Sequence, residues 1–232
     1  MKALLFDVQG TATDFHSTIC EEAQRISGGR YPNVDWPEVV RRWRAGYFAV
    51  LEATQGRGSG WVSVHSVYRH ALDTVLDECG ITGFSDAERE ELTLAWQRLK
   101  PWPDVVPGLT RLKTTYTLAT LSNADVSTVV KISKRAGLPW DAIFAAEMAG
   151  VFKPDPAIYH MAATYLGLDP AEVMMVASHK YDLRAASSLG FHTAFVARPL
   201  EFGVGGAADV AYSGEFDINA SDFLDLAGQL GC

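Results

Sequence analysis

A short apolar segment at the N-terminus constrains the fold of this chain more than any other feature. Residues Ala3–Phe6 predict a buried strand, and Asp7 follows it directly in a loop that contains Gly10. The segment is too short for a signal peptide or a membrane span. Because the carboxyl ends of parallel strands line the ligand crevice of open α/β sheets, Asp7 is a candidate nucleophile. Alternatively, Asp7 only turns or caps the loop, as aspartate often does.

Three further apolar segments have the composition of buried strands. They are residues 117–121, 173–177 and 193–196, and helical patterns separate the later ones. Strands that alternate with helices indicate parallel pairing, so the sequence predicts an α/β fold with a doubly wound parallel sheet. A glycine-containing loop over residues 201–208 leads to a last predicted strand near Val210 and a C-terminal helix near Ser221.

The long segment between the first two predicted strands has only helical patterns. The first predicted helix covers residues 16–26, and the second begins at Trp36 and Pro37. The third covers residues 64–78, and the fourth extends from a capping box of Ser85 and Glu88 to about residue 99. Residues 55–60 are glycine-rich and predict a connection between helices. We therefore expect a helical domain of residues 15–100, inserted into a core domain of residues 1–14 and 101–232.

The charge balance narrows the class of partner. The chain has a formal net charge of -8 and a pI near 5.2, which argues against nucleic acid and anionic membranes as partners. No run of eighteen apolar residues is present, so no membrane span is expected. The cysteines, Cys20, Cys79 and Cys232, lack metal-site spacing and indicate a reducing, cytoplasmic location. The sequence leaves open whether the chain forms a homodimer.

Four polar motifs accompany the predicted strands. The first follows strand one, the second follows strand two, the third begins a helix through an Asp-Pro pair, and the fourth follows strand three. The motifs are Asp7-Val8-Gln9-Gly10-Thr11, Ser122-Asn123, Lys153-Pro154-Asp155-Pro156 and Ser178-His179-Lys180-Tyr181-Asp182. In this order they resemble the haloacid dehalogenase superfamily. Along nearly its whole length the chain is similar to the type II 2-haloacid dehalogenases of that superfamily.

The resemblance implies an α/β core with an inserted helical cap, and a covalent mechanism. It implies that Asp7 is the nucleophile, that the Ser122 hydroxyl binds the anionic part of the substrate, and that Lys153 holds Asp7 ionised through its positive charge. Two of these residues also have simpler interpretations. Ser122 is then a helix or turn cap, and Lys153 a solvated surface lysine.

Two departures from the superfamily's phosphatases favour a different leaving group. Those phosphatases carry a second Asp, as general acid, where this chain has Gln9. Because an amide cannot give a proton to a leaving group, the leaving group must depart as a stable anion, such as a halide. The fourth motif offers one acid, Asp182, where phosphatases usually have two. That ligand set is thin for Mg²⁺, so we expect no metal and no cofactor.

The type II subgroup implies roles for residues on both sides of the site. Its cap arginine, which binds the departing halide and orients the substrate, is matched by Arg44. In the fourth motif His179 replaces an asparagine, and its imidazole can donate to the halide as the asparagine does. Because the imidazole is bulkier, it makes the halide pocket smaller. A small halide is then favoured, which extends the expected substrates to fluoroacetate. Tyr159 and Trp61 correspond to aromatic substrate contacts, although an aromatic at helical spacing belongs to the core more often than to a site.

The sequence therefore predicts hydrolytic dehalogenation of short 2-haloalkanoates through an Asp7 ester, with the haloacid as a small-molecule partner. The substrate carboxylate is expected on Ser122 and on the backbone amides of Val8 and Gln9. Asp182, with Lys153 nearby, is expected to position the hydrolytic water. Further residues expected to contact the substrate or shape the nucleophile loop are Thr11, Asn123, Ser178 and Tyr181. The alternatives are a Mg²⁺-dependent phosphatase of the same fold and a catalytically idle binding protein.

Overall fold

The computed structural model describes residues 1–54 and 61–232, so the predicted connection at residues 55–60 lies outside the described residues. Within the described chain, helices connect the strands of a parallel six-stranded sheet, which confirms the predicted fold class. Its strands are β1 (Ala3–Phe6), β4 (Thr117–Ser122), β5 (Ala142–Ala145), β6 (Val173–Ala177), β7 (His192–Val196) and β8 (Ile218–Ala220). They lie in the order β5-β4-β1-β6-β7-β8.

A short antiparallel ribbon joins the two points where the chain leaves the sheet and returns to it. It consists of β2 (Thr13–Asp14) and β3 (Lys100–Pro101), with Thr13 opposite Pro101. Between these strands lie α1 (Phe15–Ser27), α2 (Trp36–Thr54), α3 (Val64–Glu78), α4 (Asp86–Thr93) and a 3₁₀ turn (Leu94–Gln97). We call residues 15–54 and 61–100 the cap and the remaining described residues the core. The division into these two domains stays a prediction.

The core helices lie in the connections between the strands and after the last strand. They are α5 (Val105–Leu112), α6 (Val126–Ala136), α7 (Ala146–Ala149), α8 (Pro156–Leu166), α9 (Lys180–Ser188) and α10 (Phe223–Gln229), with a 3₁₀ turn at Pro170–Glu172. Asp155 caps α8 by accepting a hydrogen bond from the Ala157 amide, as the Asp-Pro pair predicts. Among the described residues, none of the helices combines the length and the apolarity needed to cross a bilayer.

Two sequence predictions need correction. The last strand is not near Val210, which is 40% exposed in a loop, but at Ile218–Ala220, where Ala220 is fully buried and pairs with Val196. The C-terminal helix begins at Phe223 with Asp222 as its cap, which agrees with the predicted helix near Ser221. The fourth cap helix ends at Thr93 and continues as a 3₁₀ turn. The strand β5 was not predicted, because four residues that end on Phe144 and Ala145 have too little pattern to mark a strand.

The strand order places the first motif at the centre of the sheet. β1 lies between β4 and β6, and Phe6 is in register with both Thr120 and Val176. Because all three strands are parallel, the residues that follow them meet at one edge. Asp7 therefore lies between the residues that follow β4 and those that follow β6.

The cap helices pack around a buried aromatic column. Tyr68 of α3 lies between the rings of Tyr47, at 4.4 Å, and Trp96, at 3.9 Å, measured between ring centroids. Trp43 closes the column with its ring edge-on to both Tyr68 and Trp96. Each of these side chains is almost completely buried. Aromatic packing of this kind stabilises the arrangement of the cap helices.

One core carboxylate fastens the cap to the core. Asp125 precedes α6, and its side chain accepts hydrogen bonds from the backbone amides of Val64 and His65, both at 3.0 Å. It also accepts from the Ser63 hydroxyl at 3.0 Å and from the Trp61 indole at 3.1 Å. The first-turn amides of α3 are thus capped by a residue of the core, where a negative charge is favoured.

We expect Asp125→Ala to lower the free energy of unfolding by about 1–3 kcal/mol, because buried donors of the cap lose a charged acceptor. Urea denaturation measures this. The matched control is Asp155→Ala, which removes the cap of α8 within the core alone. A loss for Asp125→Ala that is no larger than the loss for Asp155→Ala would show that Asp125 does not fasten the cap.

Candidate active site

A small cavity lies where the cap covers the carboxyl end of β1. The core contributes residues that follow β1, β4 and β6, and α2 of the cap contributes the opposite wall. The lining residues are Asp7, Gln9, Arg44, Tyr47, Phe48, Ser122, Asn123, His179 and Tyr181. The cavity therefore brings the first, second and fourth motifs together with the predicted cap arginine.

Asp7 is buried and surrounded by donors. The Lys153 ammonium lies 3.0 Å from Oδ1, while Oδ2 accepts a hydrogen bond from Thr11 Oγ1 at 2.7 Å and lies 3.3 Å from His179 Nδ1. Burial acts to raise the pKa of Asp7, but the charge of Lys153 and the hydrogen bond from His179 hold that pKa below its usual range. The carboxylate is therefore ionised, as a nucleophile must be.

Lys153 is a buried cation shared by two carboxylates. Its Nζ lies 2.5 Å from Asp182 Oδ2 and 3.0 Å from Asp7 Oδ1, and it donates to the Leu121 carbonyl at 2.8 Å. These three acceptors match the three N–H donors of an ammonium. Burial acts to lower the pKa of Lys153, but Asp182 and Asp7 raise it above its usual value. The interpretation of Lys153 as a solvated surface residue is thus wrong.

Some predicted residues lie behind the cavity and not in its wall. Asp182 has no exposed surface, and its second oxygen, Oδ1, accepts a hydrogen bond from the Tyr159 hydroxyl at 2.6 Å. Trp61 donates to Asp125 and packs on Phe152 at 4.6 Å between centroids. The described residues that line the cavity do not include Asp182, Tyr159 or Trp61. These three side chains therefore lie outside the cavity lining, and their contact with a substrate stays a prediction.

Thr11 and its neighbours hold the nucleophile loop. Thr11 Oγ1 accepts a hydrogen bond from the Ser178 amide at 2.9 Å and lies 3.0 Å from Ser178 Oγ, which ties the first motif to the fourth. The Val8 side chain is buried, and its carbonyl accepts from the amides of Ala12 and Thr13. These bonds fix the loop that presents Asp7.

Asn123 holds the backbone of the third motif. Its Oδ1 accepts from the Lys153 amide at 2.7 Å, and its Nδ2 donates to the Lys153 carbonyl at 3.2 Å. Ser122 is buried in the cavity wall. The N-cap residue of α6, the helix that follows, is Asp125. Ser122 is therefore not the cap of that helix, and it lines the cavity.

Arg44 connects the cap to the first motif through Gln9. Its Nη1 donates to Gln9 Oε1 at 2.9 Å and to the Tyr68 hydroxyl, and that hydroxyl donates to the same Oε1 at 2.9 Å. The guanidinium can only donate, so it fixes which way the Gln9 amide points. Arg44 Nε is buried and has no hydrogen-bond partner among the described residues.

The guanidinium of Arg44 is also surrounded by aromatic rings. Its central carbon lies between 4.6 and 5.6 Å from four ring centroids. The rings belong to Phe15, Tyr47, Phe48 and Trp96. Rings at this distance stabilise the buried charge without using its N–H donors. These rings therefore help to keep the charge of Arg44 buried beside the cavity.

Sequence reasoning missed Glu201. This buried residue follows β7, and its Oε1 lies 2.7 Å from His179 Nε2. Burial acts to lower the pKa of His179, but the carboxylates of Glu201 and Asp7 raise it to about 10. Gly10, whose φ is +95°, leaves room for this carboxylate, because a Cβ at Gly10 would lie 2.4 Å from Glu201 Oε1, and no pattern in the sequence marks that contact.

No cluster of three or more His, Cys, Asp or Glu side chains stands ready to hold a metal ion in the part of the chain that the structure describes. At the nucleophile, the place between the carboxylates of Asp7 and Asp182 is taken by the Lys153 ammonium. Three cationic side chains, Lys153, His179 and Arg44, thus lie around or above Asp7. The arrangement suits an anionic nucleophile that attacks a substrate releasing an anion.

We expect Lys153→Met to lower the free energy of unfolding at neutral pH by about 3–5 kcal/mol, because two buried carboxylates then face each other without a cation. The loss should shrink as the pH falls, since protonation neutralises Asp7 or Asp182. Urea denaturation across pH measures both. The control is Lys2→Met, which breaks the exposed pair with Glu172 and should change little. Equal losses for the two variants would contradict this electrostatic account.

Comparison with known proteins gives the family. The family model for haloacid dehalogenase-like hydrolases matches residues 1–190, a range that does not include Glu201. The (S)-2-haloacid dehalogenase of Xanthobacter autotrophicus is 31% identical over 200 residues, which cover 85% of this chain and 76% of that protein.

Two solved structures extend the similarity to the whole chain. A defluorinating L-2-haloacid dehalogenase is 40% identical with a TM-score of 0.94, covering 100% of this chain and 96% of that one. The L-2-haloacid dehalogenase of Xanthobacter autotrophicus with chloropropionic acid covalently bound is 27% identical with a TM-score of 0.82, covering 100% and 98%. The chain therefore belongs to the haloacid dehalogenase-like hydrolases and, among them, to the 2-haloacid dehalogenase group.

Proposed function

We propose that this protein hydrolyses short 2-haloalkanoates to 2-hydroxy acids through an ester on Asp7. The observation that carries the proposal is the ionised Asp7 carboxylate at the floor of a cavity with cationic side chains around it. The covalently bound chloropropionic acid in the relative from Xanthobacter autotrophicus supports a covalent route. The names of the relatives support the (S) configuration at a chiral C2.

In the first step, a carboxylate oxygen of Asp7 attacks the carbon that bears the halogen. The new C–O bond forms as the C–X bond breaks, and the halide leaves with the bonding pair, so a chiral C2 is inverted. The Ser122 hydroxyl and the backbone amides of Val8 and Gln9 hold the substrate carboxylate. Holding it there aligns C2 with the nucleophile.

The departing halide is stabilised by Arg44 and His179, which line the same cavity. In the free protein the Nδ1–H of His179 faces Asp7 Oδ2. Because Asp7 loses its negative charge as the ester forms, this donor becomes available to the anion that leaves. Donors placed where charge develops lower the barrier of the step.

In the second step, water attacks the carbonyl carbon of the Asp7 ester. The acyl–oxygen bond breaks, Asp7 is regenerated, and the 2-hydroxy acid leaves. Since this attack occurs on Asp7 and not on the substrate carbon, it does not change the configuration at C2. One net inversion is therefore expected.

The alternative of a Mg²⁺-dependent phosphatase is disfavoured by two contacts. Gln9 stands where a phosphatase has its general acid, and its amide oxygen is taken by Arg44 and Tyr68. Lys153 bridges Asp7 and Asp182, the carboxylates that a cation would need. A catalytically idle binding protein has no need of a carboxylate held ionised by a buried lysine, because keeping that pair buried is costly.

We expect halide release from chloroacetate, bromoacetate and (S)-2-chloropropionate, and its loss in Asp7→Asn, because an amide cannot form the ester. A chelator should leave the activity intact. Ion chromatography of released halide measures both effects. Turnover that stops in EDTA and returns with Mg²⁺, or halide release that survives Asp7→Asn, would contradict the proposal.

We expect His179→Asn to reduce kcat/KM for fluoroacetate more than for bromoacetate, with a difference of about 1–3 kcal/mol in activation free energy. Fluoride is the poorest leaving group of the halides and the strongest hydrogen-bond acceptor, so it depends most on this donor. Arg44→Ala, by comparison, should depress all substrates. Equal losses on the two halides, or a wild-type protein inert on fluoroacetate, would show that His179 is not a halide donor.

A further inference from the structure

We propose that His179 is the general base that activates water for hydrolysis of the Asp7 ester, and that Glu201 is the residue that positions and charges it. This inference rests on the proposed function, since it concerns the second step of that reaction. It assigns the water-activating role to a residue in the cavity wall. Asp182, for which the sequence predicts that role, then serves to hold Lys153.

The geometry places the His179 ring between two acids. Nδ1 lies 3.3 Å from Asp7 Oδ2, and Nε2 lies 2.7 Å from Glu201 Oε1. The ring therefore has one nitrogen toward the reacting carboxyl group and the other anchored by a buried carboxylate. This is the arrangement by which an acid fixes the tautomer and orientation of a catalytic imidazole.

The turn that carries Glu201 is tied to the nucleophile loop. Arg198 donates to the Thr11 carbonyl at 2.8 Å and binds both oxygens of Asp104, at 2.8 and 2.9 Å. The Glu201 amide donates to the Arg198 carbonyl at 3.1 Å. Gly10 leaves the space that the Glu201 carboxylate occupies. Glu201 is thus held in place by the same loop that presents Asp7.

Asp182 is poorly placed for the same task. Lys153 occupies its Oδ2, Tyr159 occupies its Oδ1, and the side chain has no exposed surface. A water that attacks the carbonyl carbon of Asp7 must contact its base directly or through one further water. His179 lines the cavity and lies next to that carboxyl group, whereas Asp182 does not line the cavity and the Lys153 ammonium lies between it and Asp7.

Ester formation supplies the change of charge that the base needs. In the free protein, the carboxylates of Asp7 and Glu201 both favour the imidazolium of His179. In the ester, Asp7 is neutral and only Glu201 remains. The halide leaves as the anion, and the Nδ1 proton then passes to solvent water.

Hydrolysis restores the starting state. Neutral Nδ1 takes a proton from water while the water oxygen bonds to the carbonyl carbon of Asp7, and the bond to the substrate oxygen breaks. The substrate oxygen takes up the remaining proton of the attacking water, which the new Asp7 carboxyl group gives up, and leaves as the alcohol. Asp7 is again a carboxylate and His179 again an imidazolium. The net reaction consumes one water and releases one hydrogen halide.

The charged groups that face His179 come from four elements. Asp7 follows β1, Glu201 follows β7, and Arg44 of α2 lines the same cavity. Tyr181 of α9 lies with its ring 5.8 Å from the imidazole. Of these groups, only Asp7 changes charge in the reaction, so the pH dependence of hydrolysis should report on the His179–Glu201 pair.

The test separates the two steps in Glu201→Gln. With bromoacetate, rapid-quench measurement of bromide gives ester formation, and intact-protein mass spectrometry gives the ester. We expect ester formation within a few-fold of wild type and hydrolysis slower by about 100-fold or more, so that the ester accumulates. The pH midpoint of hydrolysis should fall by about one unit or more, since the neutral amide no longer favours the imidazolium.

The matched control is Glu215→Gln, which removes a surface carboxylate paired with Arg184 and should behave as wild type. His179→Asn is a second variant that does not depend on the folding of Glu201→Gln, and it should also accumulate ester. Hydrolysis as fast as wild type in either site variant, or slowed in Glu201→Gln without a shift of the pH midpoint, would overturn this inference alone. Absence of bromide release from the wild-type protein would overturn the proposed function as well.

Discussion

The ammonium of Lys153, held between Asp7 and Asp182, is the interaction on which the rest of the site depends. All three groups are buried, and burial of unpaired charges is expensive, so each is kept in place by the others. The third ammonium donor goes to the carbonyl of Leu121 in β4, which anchors the cation to the sheet. The consequence is a nucleophile that stays ionised in a site from which most water is excluded.

The cap completes what the core begins. Gln9 belongs to the nucleophile loop, yet its amide oxygen accepts from Arg44 and Tyr68 of the cap, and Asp125 of the core caps α3. These bonds hold the covered arrangement of the cavity. Replacement of an acid by Gln9 therefore has two effects: it removes a proton donor from the loop and provides a neutral acceptor for the cap arginine. The second effect explains why an amide suits this position.

Much of the fold and part of the site could be predicted from the sequence because their signals are local. Ala3–Phe6 is a continuous apolar segment, α3 has a clear helical period, and the Asp155-Pro156 pair marks the start of α8. β8 could not be predicted because its three residues are stabilised by pairing with β7 and have little pattern of their own. The motifs that follow β1, β4 and β6 meet because parallel strands bring their carboxyl ends to one edge.

Glu201 could not be found in this way, because it lies in a loop without a motif and reaches His179 only through the tertiary structure. The distinction between residues in the cavity and residues behind it is likewise invisible in the sequence. Asp182, Tyr159 and Trp61 have the residue types expected of a site, but each is bound to another protein side chain. Asp182 accepts from Lys153 and from Tyr159, and Trp61 donates to Asp125. Composition and spacing identify chemical groups, and only packing decides which of them a substrate can reach.

The central claim is that Asp7 carries the substrate as an ester. The most direct measurement is a single turnover of (S)-2-chloropropionate with excess protein in ¹⁸O-labelled water, followed by mass spectrometry of the peptide that contains Asp7. The account predicts that ¹⁸O enters the Asp7 carboxyl group, because water attacks the carbonyl carbon of the ester. Label found only in the lactate product, with none in Asp7, would show that water attacks the substrate directly and would contradict the account.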